Sequence, residues 1–443
     1  MIESKIDIAN ITFTHPSDWN VIKIKYLLST KVTDGPHETP TFIDEGYPFL
    51  SVDSIVDGKL VFEGYRYISK EDYDKYKLKC NPQKDDIFMG KAASIGKIAI
   101  VDVDFNFSIW SPLALLRPNK DVILPNFLEF ALKSDYAQDQ IDLYSTSNTQ
   151  KNISMDDIPR IELLVPNLEQ QKAITNYLIK KTSKIDATIA KNEELIQLLE
   201  EKRVALINQV VTKGLNSNVS MKDSGIKGIG EIPKHWDVEK IKNISQVKPS
   251  NVDKKTKANE PHILLCNYTD VYNNEFITRD LDFMKATATH DQIRKLSLKV
   301  GDVIITKDSE SADDIAVPAI VTENLENVVC GYHLAVIRPN STIINPKFLF
   351  RSFESDRINK QFELGANGVT RFGLGSYPIN NAYICYPPLN EQAEIVQYLD
   401  IETSRIAKAT DKILKHIELL GEYKSSLIHH VVTGKIDVRG EVI

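Results

Sequence analysis

The sequence predicts an α+β fold built as a pseudo-two-fold internal repeat. Two tandem α+β domains are expected, separated and followed by long helices that pair as an antiparallel coiled coil. Three observations predict this: the two halves align with each other, each half ends in a heptad-patterned segment, and each half starts with short β-rich runs. The domains are expected at 1–160 and 218–382, and the helical segments at 161–217 and 383–443.

The repeat is clearest in the helical segments. Residues 166–212 align without a gap with 387–433 at an offset of 221, and 19 of these 47 pairs are identical. A shorter match, Pro-x-x-Trp-x-Val, opens each half at Pro16 and Pro233. Matches in the same order in both halves indicate a tandem duplication, in which the segments between the matches resemble each other least.

Both helical segments carry a seam of apolar residues at alternating spacings of three and four, which is typical of coiled-coil helices. Thr182, Asn192 and Arg203 fill the remaining seam positions of the first segment. Helices of about 60 Å with matched seams are expected to pack antiparallel. The seam residues are Leu178, Ile185, Ile189, Ile196, Leu199, Leu206 and Val210, then Leu399, Ile406, Ile413, Ile417, Leu420, Leu427 and Val431.

The ends of these helices also carry signals. Asn167 fits an N-cap of the first helix, whereas the second copy has Pro388 at this position. Gly214 and Gly434 stand where the helices are expected to end, because a C-terminal glycine readily takes a left-handed backbone conformation.

Each predicted domain alternates short β-rich runs with turn residues, and helical stretches follow. A strongly bent antiparallel sheet with one or two helices is expected in each. The clearest strands are 97–101, 113–117, 302–306 and 333–338, and the clearest helices are 126–139 and 347–361.

Composition and charge limit the classes of function. The net charge is −7, so a strongly basic surface is excluded, although a local basic face could still bind DNA. The four cysteines lie far apart with no CxxC motif, which favours buried thiols over a zinc site or disulfides. The polar N-terminus and the absence of an apolar run of about 18 residues predict a cytoplasmic protein without a membrane span.

Two kinds of polar loop are candidates for DNA contact, with an ordinary solvated loop as the alternative interpretation. One kind precedes each long helix and offers side chains that suit base edges or phosphates. The other is a small basic loop at 90–97 that could approach a phosphate. The candidates are Asn148, Thr149, Gln150, Lys151, Asn152, Asn367, Thr370 and Arg371 before the helices, and Lys91, Ser94 and Lys97 in the basic loop.

No catalytic motif is recognisable. The 90–97 loop fails as a nucleotide-binding loop, because five residues separate its glycines and Ile98 stands where Ser or Thr is needed. No GxSxG or HExxH motif occurs. A non-catalytic role is therefore favoured, with a stand-alone DNA-modifying enzyme or a coiled-coil adaptor as alternatives.

Four features, taken in order, resemble the specificity subunit of type I restriction-modification systems. They are the stretch Ile-Gly-Glu-Ile-Pro-Lys-His-Trp at 229–236, the Pro-x-Leu-x-x-Gln motifs at Pro166 and Pro387, the two long helices, and the Val-Val-Thr sequences at their ends. The resemblance implies two target-recognition domains, each reading one half of a split double-stranded DNA target in the major groove. It further implies that the helices set the gap between the half-sites and dock partner subunits.

The same resemblance implies that this chain is non-catalytic and binds no cofactor itself. Two methyltransferase subunits would bring S-adenosylmethionine and methylate adenine. Restriction subunits, whose presence the sequence leaves open, would use ATP and Mg²⁺. The resemblance does not identify the base-contacting residues, so only the candidate loops above are carried forward.

Overall fold

The protein divides into two compact units, each combining one domain with part of both long helices. Unit 1 contains Met1–Asn192 and Leu414–Ile443, and unit 2 contains Glu193–Ile413. The structure is a computed structural model, and the residues it describes are 3–8, 11–147 and 151–438.

Short strands dominate the first domain. Its strands are β1 (Glu3–Ile8), β2 (Ile11–Pro16), β3 (Asn20–Lys23), β4 (Thr33–Asp34), β5 (Tyr47–Leu50), β6 (Ile55–Val56), β7 (Lys59–Leu60), β8 (Arg66–Ile68), β9 (Ile87–Gly90), β10 (Ile98–Ile100), β11 (Ser108–Ile109), β12 (Leu113–Leu116), β13 (Ser145–Ser147), β14 (Lys151–Ile153) and β15 (Glu162–Val165). Its helices are α1 (Lys70–Tyr76), α2 (Pro125–Lys133), α3 (Asp135–Tyr144) and the start of α4 (Leu168–Lys213).

The second domain has a comparable set of elements. Its strands are β16 (Met221–Asp223), β17 (Glu231–Pro233), β18 (Asp237–Lys240), β19 (Ser245–Pro249), β20 (His262–Cys266), β21 (Phe276–Ile277), β22 (Met284–Thr287), β23 (Val303–Thr306), β24 (Asp308–Ser309), β25 (Pro318–Val321), β26 (Val328–Cys330), β27 (Leu334–Pro339), β28 (Phe372–Gly373) and β29 (Tyr383–Tyr386). Its helices are α5 (Ile241–Ile244), α6 (Tyr268–Tyr272), α7 (His290–Leu296), α8 (Pro346–Phe353), α9 (Asp356–Gly365), α10 (Ser376–Asn381) and the long α11 (Leu389–Val432).

The sheets are mixed, which corrects the expectation of an antiparallel sheet. In the first domain β10-β9-β12-β4 is antiparallel, but in the sheet β11-β5-β8 the strands β11 and β5 run parallel. In the second domain β20 runs parallel to β26, and β21 to β25. The parallel partners are far apart in sequence, so a crossover can connect them where a tight hairpin cannot.

The helical stretch expected at 126–139 is two helices, α2 and α3. Ser134 lies between them in an extended conformation, and its hydroxyl accepts a hydrogen bond from the Ala137 N–H at 3.4 Å. The second domain has the same break at Ser355, between α8 and α9. The cap made by Ser134 favours a new helix start over continuation of the preceding helix, whereas the Ser355 side chain makes no capping hydrogen bond.

The long helices pair antiparallel within each unit, as the seam predicts. In unit 1, Asp186 of α4 pairs with Lys424 of α11, while Asn192, further along α4, bonds His416, which lies earlier in α11. Unit 1 buries the predicted seam residues Leu178, Ile185, Leu427 and Val431 in one core.

Unit 2 repeats this packing with the other helix halves, because Val210 of α4 and Leu399 of α11 share one core. Ile207, outside the predicted seam, is fully buried in the same core. Seam residues midway along the helices, such as Ile196 and Ile417, are only half-buried.

The helix caps behave as expected. The Asn167 side chain accepts a hydrogen bond from the Gln170 N–H at 2.9 Å, which caps the start of α4. Gly214 and Gly434 follow the two helices with φ of +73° and +74°. A β-carbon on Gly434 would lie 2.5 Å from the Pro16 side chain, and one on Gly214 would lie 3.3 Å from the Trp236 ring. The Pro-x-x-Trp motif thus packs against a helix end in each unit.

The glutamine of each Pro-x-Leu-x-x-Gln motif is fully buried and makes the same three hydrogen bonds. Gln171 accepts from the Leu124 N–H at 2.8 Å and donates to the carbonyl oxygens of Val122 at 3.0 Å and Pro166 at 2.9 Å. Gln392 repeats this pattern in unit 2. The motif therefore fixes the start of the helix to the loop that precedes α2 or α8.

Gln171→Ala is expected to lower the free energy of unfolding by about 2–4 kcal/mol, because it leaves buried backbone groups without partners. Urea denaturation of the purified chain measures the change. Gln197→Ala is the matched control, since Gln197 is exposed on the same helix and should change stability by less than about 0.5 kcal/mol. Equal effects of the two substitutions would contradict this role for Gln171.

A buried ion pair is also common to both domains. Arg117 donates two hydrogen bonds to the buried carboxylate of Asp86, and Arg338 does the same to Asp302. This Arg–Asp pair, which the two halves share, is therefore structural.

Three features concern the described part of the chain as a whole: the state of its cysteines, clusters of metal-ligating side chains and membrane-spanning helices. All four cysteines are buried and unbridged, and burial raises the pKa of each thiol, to about 11 for Cys80. Across the described ranges, no three His, Cys, Asp or Glu side chains group in a way that could hold a metal ion. None of the described helices is long and apolar enough to cross a membrane.

Candidate nucleic-acid interface

In the first domain the two candidate loops lie side by side, joined through the backbone of Lys91. The Lys91 N–H donates to the Pro112 carbonyl at 2.8 Å, and the Lys91 carbonyl accepts from the Ile153 N–H at 3.0 Å. Ala92 and Asn152 form a β-bridge next to it. The basic loop, the loop before β12 and the loop before α4 therefore meet at one place.

The second domain has the same arrangement, in which three loops meet at the backbone of Lys307. We call this arrangement of three loops around Lys91 or Lys307 the frame of each domain. The Lys307 N–H donates to the His333 carbonyl at 2.9 Å, and the Lys307 carbonyl accepts from the Leu374 N–H at 2.7 Å. His333 and Leu374 stand 221 positions after Pro112 and Ile153, so the two lysines occupy equivalent positions. Pairing of β24 with β28 holds the pre-helix loop in place.

The three predicted residues of the basic loop are largely engaged inside the domain. Lys91 is buried, and its ammonium group lies 3.1 Å from the carboxylate of Asp34. The ammonium group of Lys97 donates to the Ile55 carbonyl at 3.0 Å, and Ser94 is half-buried. The positive charges of this loop thus serve the domain's own structure.

Asp34 is the electrostatic centre of this region. Burial by itself would raise the pKa of its carboxyl group, but hydrogen bonds and charge attraction from Lys79 and Lys91 outweigh burial and lower the pKa. Asp34 therefore stays ionised and anchors Lys91 in the frame.

The pre-helix loop of the first domain is described in part. Asn148, Thr149 and Gln150 lie outside the described residues. Lys151 and Asn152 are exposed, and Lys151 forms an ion pair with Asp142 of α3.

The pre-helix loop of the second domain is described in full and is open to solvent. Asn367, Thr370 and Arg371 are all exposed. The backbone of Asn367 exchanges two hydrogen bonds with Gly373, at 3.0 and 2.9 Å. Within the residues that the structure describes, Arg371 forms no ion pair, so its guanidinium group can bind an external acceptor.

The loop before β12 in the first domain and before β27 in the second was missed by the sequence reasoning, as was Asp34. The sequence did contain a signal for this loop. The strands at 113–117 and 334–338 align, but the three residues before them differ completely: Trp-Ser-Pro in one half and Gly-Tyr-His in the other. Sequence alone could not show that this loop bonds to the lysine of the basic loop.

Comparison with known proteins gives a match for each half of the chain. The family model described as the type I restriction modification DNA specificity domain matches twice, at residues 16–201 and 233–419. The chain belongs to this family. Each match covers one domain and most of the long helix that follows it. The chain is thus a DNA sequence-specificity subunit of the type I class, with two tandem specificity domains.

Relatives match along nearly the whole chain. A putative type I restriction enzyme MjaX specificity subunit from Methanocaldococcus jannaschii is 26% identical over 444 residues, covering 96% of this chain and 95% of the relative. The type I restriction enzyme EcoKI specificity subunit from Escherichia coli is 22% identical over 392 residues, covering 87% and 82%.

Solved structures share the fold. A chain from a structure concerned with the complex assembly and conformational transition of the type I system superposes with a TM-score of 0.71 at 14% identity, covering 96% of this chain and all of that one. The HsdS subunit from Thermoanaerobacter tengcongensis superposes with a TM-score of 0.51 at 14% identity, covering 96% and 99%. The family's α+β architecture with paired long helices is therefore the fold of this chain.

Proposed function

We propose that this chain directs adenine methylation of DNA to one bipartite sequence, as the non-catalytic subunit of a complex with two methyltransferase subunits. The observation that carries the proposal is the pair of equivalent loop frames around Lys91 and Lys307, one in each recognition domain. Two similar frames with different side chains suit a protein that reads two different half-sites. S-adenosylmethionine would be bound by the methyltransferase subunits, and ATP and Mg²⁺ by any restriction subunits.

The exposed side chains of the frames are the proposed DNA contacts. Arg371 suits the acceptor edge of guanine or a phosphate, and Asn152 and Asn367 suit adenine. Lys151 and Thr370 suit phosphate oxygens. Asn148, Thr149 and Gln150 complete this set by their place in the sequence. Ser94, Lys91 and Lys97 are assigned to the same interface. The two lysines are proposed to position its loops through their contacts inside the domain.

The long helices are proposed to set the gap between the half-sites and to dock the methyltransferase subunits. An α-helix rises 1.5 Å per residue, so the 46 residues of α4 extend over about 69 Å. The recognition domains are proposed to span 1–160 and 218–382, with helical segments at 161–217 and 383–443. Because the substrate is cellular DNA, the complex is placed in the cytoplasm.

Co-expression with the cognate methyltransferase subunit in a methylation-free bacterial host tests the proposal. DNA sequencing that reports N6-methyladenine is expected to find methylation at a single bipartite motif. Omitting this chain should remove the motif, because the methyltransferase then lacks its sequence reader.

The control is the host that expresses this chain without the methyltransferase, and it should contain no methylated motif. Methylation of the same motif without this chain would contradict the proposed function. Methylation by this chain alone would make it a stand-alone enzyme instead.

A further inference from the structure

The loop before β27 presents an imidazole at the edge of the second frame. His333 is bonded through its backbone to Lys307, and its side chain is about one-third exposed. Its Nδ1 lies 2.7 Å from the carboxylate of Asp308, the residue that pairs with Gly373 in the β24–β28 ladder. The histidine thus links all three loops of the frame.

Asp308 fixes which nitrogen of His333 carries hydrogen. An ionised carboxylate can only accept, so Nδ1–H is the donor and, in the neutral ring, Nε2 is left as an acceptor. Nε2 makes no hydrogen bond within the described part of the chain. An orientated acceptor at a surface edge can receive the amino group of adenine or cytosine in the major groove.

The neighbouring side chains hold this ring in place. The rings of Tyr332 and His333 meet edge to face, with centroids 4.9 Å apart. The Lys307 ammonium group lies 4.7 Å from the centroid of the Tyr332 ring, which is half exposed. A held side chain loses little conformational entropy on binding, which favours its use in recognition.

The first domain has the same backbone at this place and different side chains. Pro112 replaces His333 as the acceptor of the lysine N–H, and Ser111 replaces Tyr332. Trp110, in place of Gly331, lines a cavity of about 340 Å³ with Phe42 and Phe49. A constant frame with replaced side chains is the arrangement expected where two domains must read different sequences.

We propose that His333, orientated by Asp308, is a specificity-determining residue of the second recognition domain and accepts a hydrogen bond from the amino group of an adenine or cytosine in the second half-site. This assignment rests on the proposed function. The equivalent position in the first domain offers no such acceptor, because its residue is proline.

The test uses the complete methyltransferase complex and compares the wild type with His333→Ala. The variant is expected to lose about tenfold of its preference at one position of the second half-site. The first half-site should be unchanged and serves as an internal reference. The base at the position where the variant loses its preference would then be replaced by an analogue without the amino group. This replacement should weaken DNA binding by the wild-type complex about tenfold and leave DNA binding by the variant complex unchanged.

The matched control is His262→Ala, in the same domain. His262 is exposed at the start of β20, whose end at Cys266 pairs with Cys330 next to the histidine loop. The two ends of this five-residue strand are four residue steps, about 13 Å, apart, so this substitution should leave both half-sites intact.

Three results would overturn the assignment. The first is a variant that retains the full wild-type motif, and the second is equal relaxation of both half-sites. The third is loss of all methylation by His333→Ala while His262→Ala stays active, since this would make the histidine a structural residue. A wild-type complex that methylates no bipartite motif would instead refute the proposed function, so the two failures are distinguishable.

Discussion

Lengthening both long helices by one heptad is expected to widen the gap between the half-sites by about three base pairs and to leave the half-sites unchanged. Seven residues would be inserted after Asn192 in α4 and after Lys415 in α11, so that both insertions lie on the same side of the Asn192–His416 contact and leave it intact. Seven residues add about 10 Å of helix, and DNA rises about 3.4 Å per base pair. A full heptad keeps the apolar seam in phase.

Methylation-sensitive sequencing of DNA from cells that contain the altered complex measures the new motif. The methylated fraction is expected to fall, because three additional base pairs turn the second half-site by about 100° around the duplex. The control inserts the heptad into α4 alone, which shifts one seam against the other and should reduce methylation without defining a new gap. A changed half-site, or an unchanged gap, would refute the role of the helices as a spacer.

Removing the buried guanidinium of Arg351 is expected to destabilise unit 2 by about 3–5 kcal/mol. Arg351 of α8 has a side chain only 2% exposed, and it donates to Glu354 at 2.7 Å and to Asp400 of α11 at 3.2 Å. Arg203 of α4 also pairs with Glu354. Arg351→Met would leave the buried Glu354 with one cationic partner, and urea denaturation measures the loss.

The matched control is Arg405→Met on α11. Its side chain is 71% exposed and pairs with Glu402 on the same helix, so the loss should stay below about 0.5 kcal/mol. Adding Glu354→Gln to Arg351→Met is expected to restore part of the stability, because it removes the poorly paired charge. No recovery in the double variant would contradict the charge-burial explanation.

The stability lost by Arg351→Met should depend on pH in a defined direction. Burial raises the pKa of Glu354 in the folded protein, although Arg351 and Arg203 oppose this effect. Without Arg351 the pKa rises further above its unfolded value, so the folded state binds the proton more tightly. The stability deficit of the variant is therefore expected to shrink as the pH falls from about 8 to about 5.

This charge cluster also shows where the two halves differ in packing. The position of Arg351 is taken by Phe130 in the first half, and that of Glu354 by Lys133. The alignment shows these exchanges. That Arg351 and Glu354 are buried beside both long helices could be seen only in the folded unit.

The repeat and the helix ends were predictable because they rest on short-range chemistry. A heptad seam, an asparagine N-cap and a glycine after the last turn are set by neighbouring residues, and Asn167, Gly214 and Gly434 behave as expected. The mixed sheets were not predictable, because the parallel pairing of β5 with β11 joins segments that are distant in sequence.

The candidate interface shows the same division. The sequence by itself determined which loops carry polar side chains, and the resemblance to type I specificity subunits. Only the tertiary structure decided that three loops meet at Lys91 and at Lys307, that Asp34 holds the Lys91 ammonium group, and that Asp308 orients His333. The reason is physical: hydrogen bonds and ion pairs between distant loops depend on where the sheets place those loops, which no local pattern of residues encodes.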